Sequence, residues 1–316
     1  MRSSLFLLLF SVNLTLTAQY AKHMVVDLNG NGDFTSIQEA INSTKAFPDE
    51  DITIEVRNGT YNEKVIIYSW NNRLTIRGES RDSTIITWGD YFGKIDKGRN
   101  STFHTYTMKV ESNDVFLENL SITNSAGPVG QAIALHLEGD RIKVKNCNID
   151  GHQDTFYAAG EGFRSYLLGC QISGSTDFIF GEATVVFDDC EIVSKSNSYI
   201  TAASTPENVE YGFVFLNCQL LAEDGINAVY LGRPWRSFAS TIFIHCRMES
   251  HIKAAGWHNW GDEEKERTVR YAEYGSSGPG ANDQKRVEWA SVASKENAEA
   301  LTPSKVYGNW DPKEGD

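Results

Sequence analysis

Asp154 and Asp177 are the residues whose type and spacing first suggest chemistry, because they stand 23 residues apart and Cys147 and Cys170, each seven positions earlier, repeat the same interval. Two carboxylates in one phase of a repeat would be carried by adjacent turns of the chain, with Cα atoms roughly 5 Å apart. Acids that close do not both ionise freely, so one gains proton affinity, and the pair can divide into a proton donor and a nucleophile. The alternative is a pair of turn aspartates bonded to nearby backbone amides. Arg233, in LGRPW, supplies a guanidinium able to hold one carboxylate in a fixed, charged geometry. Gln131 and Gln153 are neutral amides suited to a developing oxyanion, and Trp235 offers an apolar face to a sugar ring or packs on a turn.

The elements that must position these residues are written in a recurrent phrase: VFLENLSI from Val115, KVKNCNI from Lys143, YLLGCQI from Tyr166, VFDDCEI from Val186, VFLNCQL from Val214 and IFIHCRM from Ile242. Self-similarity at about 20 to 30 residues, built on short apolar strands, marks a solenoid whose units bury their apolar faces by stacking. From Ile52 onward, runs of Val, Ile, Phe and Thr alternate with Gly, Asn, Asp and Ser, which predicts an all-β parallel β-helix. Asn119, Asn146, Asp189 and Asn217 each precede the ladder position, a polar stack at a turn or strand end. The five cysteines all fall at the ladder position and are expected as a buried column of free thiols. Helical spacing of Ile37, Ala40 and Ile41 within Phe34–Ser43, with Ser36 and Glu39 as a capping box, predicts a short helix covering the open N-terminal coil.

The first 18 residues, a positive start followed by an apolar stretch too short to span a bilayer, predict a signal peptide. The secreted or periplasmic remainder, 19–316, is then expected as one domain. No later segment is long and apolar enough to span a membrane. A formal charge of −13 over 316 residues disfavours nucleic acid as a partner and suits a neutral or esterified sugar polymer. The histidines, His152 beside Asp154 included, lack metal-ligand spacing, so neither metal nor cofactor is expected. The tail from Gly261 is expected to pack back along the solenoid or cap its far end. A solenoid closed at both ends needs no second copy, and a monomer is expected.

Six segments taken in order, GTYNEKV from Gly59, QAIAL from Gln131, GHQDTFY from Gly151, DFIFG from Asp177, LGRPW from Leu231 and AAGWHNW from Ala254, resemble the signature segments of the pectin methylesterase (pectinesterase) family. The likeness runs from Val25 to Pro312. It implies a right-handed parallel β-helix and hydrolysis of the methyl ester on C6 of galacturonate in pectin. By matching position, Asp177 resembles the family nucleophile and Asp154 the general acid and base. Gln131 and Gln153 resemble the oxyanion donors, and Arg233 the residue that positions Asp177. Gln131, Arg233, Trp235 and Thr107 resemble substrate-contacting positions, with Tyr157 and Phe180 as aromatic walls of the groove. A glycoside hydrolase or lyase on the same fold is the rival reading. An inverting hydrolase wants its carboxylates about 6.5–9.5 Å apart, wider than adjacent coils would place them, and a lyase would bring a calcium-binding acid cluster. A non-catalytic sugar-binding solenoid would not need both acids, both glutamines and the arginine together.

Overall fold

The computed structural model describes residues 20–282 and 285–313; the expected signal peptide lies outside them. The chain winds as a right-handed parallel β-helix whose coils each give one strand to each of three sheets. One coil reads Arg164–Leu168 in the first sheet, Gln171–Gly174 in the second and Ile179–Gly181 in the third. The next repeats it with Thr184–Asp188, Glu191–Ser194 and Tyr199–Ala203. Among the described residues the three sheets hold eleven, eight and seven strands, and every pairing is parallel.

The repeated phrase marks the corner between the first and second sheets. Asn119, Asn146, Gly169, Asp189, Asn217 and His245 all adopt positive φ there, between 50° and 59°. Glycine and the short polar residues tolerate this left-handed conformation best, so the polar stack read from sequence is a column of corner residues. Asn146 donates its side-chain amide to Asn119 Oδ1 at 2.7 Å. The next residue in the last five corners is a cysteine, and all five are free and buried. Each thiol is directed at a carbonyl of the preceding coil, as Cys170 is at Val144 (3.4 Å) and Cys218 at Phe187 (3.4 Å). Deeper in the interior, Phe187, Phe215 and Phe243 stack at centroid spacings of 4.4 Å, in-register knobs from three successive coils.

The N-terminal helix is Ile37–Ser43, and it buries Ile37, Ala40 and Ile41 against the first coil. Ser36 accepts from Glu39 N as an N-cap should. The carboxylate that satisfies the remaining free amides, however, is Glu63, which accepts from Ile37 N at 2.8 Å and Gln38 N at 3.0 Å. At the other end the tail packs back along the outside of the first sheet. Two helices, Lys295–Ala300 and Pro303–Tyr307, cover Tyr166, Val186, Val214 and Ile244. The Tyr307 hydroxyl enters the sheet, accepting from Val186 N at 2.8 Å and donating to the Ser165 carbonyl. No helix among the described residues is long and apolar enough to cross a membrane.

Candidate active site

The outer face of the third sheet carries the site. In that sheet Phe156 pairs with Ile179 and Tyr157 with Phe180, an offset of 23 residues, so Asp154 and Asp177 occupy equivalent places two residues ahead of adjacent strands. Both sit at positive φ, 62° and 49°, a conformation aspartate tolerates and most side chains resist. Asp154 N donates to the Thr176 carbonyl at 3.1 Å and Asp177 N to that of Tyr199 at 2.8 Å. The ladder thus fixes both corners from behind. Gln153, beside Asp154, pairs in a parallel bridge with Gln131 one coil earlier. Three successive corners therefore present Gln131, then Gln153 with Asp154, then Asp177. Immediately below, Gly181 closes the DFIFG segment at φ 126°, where a Cβ would meet the Ala158 carbonyl oxygen at 2.0 Å. Only glycine lets those two coils approach so closely.

Arg233, just after the strand Tyr230–Gly232, reaches back over two coils to grip Asp177. Its Nε donates to Oδ1 at 2.9 Å and its Nη2 to Oδ2 at 2.7 Å, a two-point, charge-assisted pair on a carboxylate only 6% exposed. The guanidinium lies between two rings, its carbon 4.0 Å from the centroid of Tyr199 and 3.7 Å from that of Trp260. Trp260 is set by His258, whose Nδ1 accepts from Trp260 N at 2.9 Å; burial first, then the charges of Arg233 and Lys253, hold His258 below its ordinary proton affinity and so neutral.

The two acids are electrostatically unequal. Burial, reinforced by the charge of Asp177, holds Asp154 well above the usual carboxylate range, and Arg233 and a hydrogen bond from Gln153 oppose this only in part. Burial raises Asp177 too, but there the two hydrogen bonds and the full charge of Arg233 pull it back. The proton shared by such a pair therefore resides on Asp154, leaving Asp177 as the carboxylate.

An open cleft of about 500 Å³ runs across these groups, lined by Gln131, Gln153, Asp154, Asp177, Arg233 and Trp235. Phe180 lines it as well, tilted against Trp235 at 6.0 Å. Tyr157 stacks on Phe180 at 4.5 Å and lies outside the lining of this cleft. Thr107 requires a correction. It is wholly buried, and its hydroxyl donates to the Thr123 carbonyl at 2.9 Å, so it braces the coil beneath the cleft and cannot touch a substrate. The residues that do reach the cleft from that stretch are Arg99, Thr102 and Phe103, which sequence reasoning passed over together with Arg236, Tyr199 and Trp260. For Trp260 a signal exists, since it closes the AAGWHNW segment from Ala254. Among the described residues no group of three His, Cys, Asp or Glu side chains gathers as metal ligands would.

Fold and cleft together define a β-helical enzyme with a polarised aspartate pair on the outer face of one sheet. The family model for pectinesterases matches residues 23–309, and the chain belongs to the pectinesterase family, the carboxylic ester hydrolases of pectin. Pectinesterase 31 of Arabidopsis thaliana is 36% identical over 273 residues, covering 84% of this chain and 86% of its own. The chain spans about half the length of several longer A. thaliana relatives named as pectinesterase/pectinesterase inhibitor. Among solved structures, pectin methylesterase from carrot superposes with a TM-score of 0.84 at 28% identity, covering 91% of this chain and 94% of that one. A pectin methylesterase in complex with a hexasaccharide gives 0.80 at 28% identity, covering 91% and 97%.

Proposed function

We propose that this protein removes methyl esters from C6 of galacturonate units in pectin by a two-step mechanism in which Asp177 is the nucleophile and Asp154 the general acid and base. The observation that carries this reading is the asymmetry of the pair: Arg233 grips both oxygens of Asp177, and among the described residues no cation grips Asp154. A carboxylate oxygen of Asp177 attacks the ester carbonyl carbon, and negative charge moves onto the carbonyl oxygen. Gln131 and Gln153 lie at the corners flanking the acids, where their amide N–H groups can stabilise that oxyanion. Gln153 adjoins Asp154 and moderates its raised proton affinity, and an amide carries two N–H donors, enough to serve the substrate as well. As the tetrahedral species collapses, the C–O bond to the methoxy group breaks and Asp154 gives its proton to the departing methanol. Asp177 is then joined to the uronate as a mixed anhydride. Ionised Asp154 next takes a proton from water as that water attacks the acyl carbon. Collapse frees the galacturonic acid, which gives its own proton to solvent, restores Asp177 as the carboxylate and leaves Asp154 protonated.

The aromatic wall of Phe180 and Trp235 gives the sugar rings an apolar face beside this polar centre. Methylated pectin as the substrate agrees with what the family relatives are named for. Secretion and a monomeric state complete the proposal; size-exclusion chromatography with light scattering tests the latter.

The test is to incubate methylated pectin with the protein and to follow methanol, chain length and unsaturated ends separately. Methanol without chain shortening is expected; chain scission, or no methanol at any pH, refutes ester hydrolysis here. Asp177→Asn should abolish methanol release while leaving the circular dichroism spectrum and melting temperature near those of the parent. Retained turnover would remove Asp177 from the nucleophile's place.

A further inference from the structure

Arg233 aims Asp177, so whatever holds Arg233 acts on the chemistry at one remove. Its backbone is fixed by the N–H it donates to the Thr201 carbonyl at 2.9 Å, and its guanidinium lies between the rings of Tyr199 and Trp260. One residue outside the lining of the cleft meets every part of this support: His258, in the AAGWHNW segment. His258 N donates to the carbonyl of Gly232, the residue directly ahead of Arg233, at 3.1 Å. The imidazole meets Tyr199 at a centroid distance of 5.5 Å and an angle of 61°, and Tyr230 at 5.4 Å and 65°. Those two tyrosines are register partners in the third sheet and stack at 5.3 Å. The Nδ1 of the same imidazole accepts from Trp260 N at 2.9 Å.

Trp260 depends on that last bond. It sits at φ 63°, in the left-handed region that bulky side chains rarely adopt, and a residue there persists only where its neighbours over-determine it. The turn that carries it is knitted by side chains: His258 Nδ1 takes the Trp260 N–H, Asn259 Oδ1 accepts from Gly261 N at 2.8 Å, and Asn259 Nδ2 donates to Glu266 Oε1 at 2.7 Å. An Nδ1 that accepts belongs to a neutral ring with its proton on Nε2. Without the acceptor at Nδ1, the backbone of Trp260 loses the contact that fixes it and its ring can swing off the guanidinium. One face of Arg233 would then open to water, which competes for its N–H groups and screens its attraction for Asp177.

We propose that His258 is a positioning residue for ester hydrolysis: by accepting from Trp260 N it keeps the Trp260 ring against Arg233, and Arg233 thereby in its two-point grip on Asp177. This rests on the ester-hydrolase reading above. Three variants separate the acceptor from the bulk of the ring. His258→Asn places an oxygen where Nδ1 stood, His258→Gln carries its oxygen one bond further out, and His258→Leu offers bulk with no acceptor. Initial methanol release over a range of methylated pectin concentrations gives kcat and KM for each, and melting curves report folding. His258→Leu and His258→Gln should lower kcat about three- to tenfold, the yield of one hydrogen bond, with KM little changed, and His258→Asn should recover most of that loss. Should His258→Leu fail to fold, the contrast between asparagine and glutamine decides alone. In an Arg233→Ala background His258→Gln should cost nothing further, because a residue that acts through Arg233 is idle without it. An undiminished loss in that background, an effect confined to KM, or equal losses in the asparagine and glutamine variants overturns the assignment while leaving ester hydrolysis in place. No methanol from the parent would refute the ester-hydrolase reading itself.

Discussion

Replacing Arg233 separates the two jobs an arginine can do in such a site, holding the nucleophile or holding the substrate. Two charge-assisted hydrogen bonds, at 2.9 and 2.7 Å, reach a carboxylate that is 6% exposed; at about 1.5–3 kcal/mol each, they contribute about 3–6 kcal/mol to keeping Asp177 ionised and aimed. Without them, burial alone acts on Asp177, and its proton affinity rises further. Since only the ionised form attacks, Arg233→Ala should lower kcat by about two to four orders of magnitude. The loss should depend on pH in a definite sense. The parent's activity fails as pH falls through the pKa of Asp177. In the variant that acid limb moves to higher pH, so the deficit is largest in acid and narrows as pH rises. Arg233→Lys keeps a charge between Tyr199 and Trp260 but cannot offer the same fork, and should fall between the two. The assay is initial methanol release from saturating methylated pectin across pH, with melting curves to confirm folding. A deficit of equal size at every pH, with the acid limb unmoved, would show that Arg233 does not act through Asp177.

Asp154→Asn should cost about 10²- to 10⁴-fold in kcat through loss of the proton donor and base, and it should also stabilise the protein at neutral pH. Burial and Asp177 raise the folded-state pKa of Asp154 above its unfolded value, so the parent loses stability as pH rises from the ordinary carboxylate range up to that raised value; asparagine does not. Melting temperatures of the two proteins should converge in acid and diverge above it, and a variant no more stable at neutral pH would refute the electrostatic account. Gln131→Ala should reduce kcat by about 10²- to 10³-fold with little change in KM if its amide meets the oxyanion, and an effect confined to KM would make it a ground-state contact. Phe215→Ala, removing the middle ring of the stack of Phe187, Phe215 and Phe243, should cost about 3–5 kcal/mol in chemical denaturation with activity intact below the transition.

What the sequence discloses about this molecule depends on whether a residue belongs to the repeat. Stacking forces equivalent positions of successive coils into one environment, so whatever that environment demands is written several times over: a left-handed corner at Asn146 and Asp189, a small buried side chain at Cys147 and Cys190. Asp154 and Asp177 are legible for the same reason. Their interval of 23 residues is the length of one coil, and the pairing of Tyr157 with Phe180 preserves it. Arg233 has no place in that count, and its signal came from the local phrase LGRPW. Residues delivered by connections of variable length are written once. Glu63 caps a helix 26 residues before it, and Tyr307 enters a sheet 121 residues upstream at Val186. Neither contact leaves a period to detect.

Thr107 shows the converse error, a residue whose neighbourhood looked right but whose side chain the alternation of strand and corner turned inward onto the Thr123 carbonyl. The same distinction bears on function. The acids proposed to break and form bonds, Asp154 and Asp177, are fixed to the ladder by their register with the neighbouring coils. Arg99 and Arg236, by contrast, stand on connections that line the cleft. A change of sequence in those connections can alter the lining of the cleft without moving the paired carboxylates. The fold thereby lets specificity vary around a chemistry that the coils hold constant.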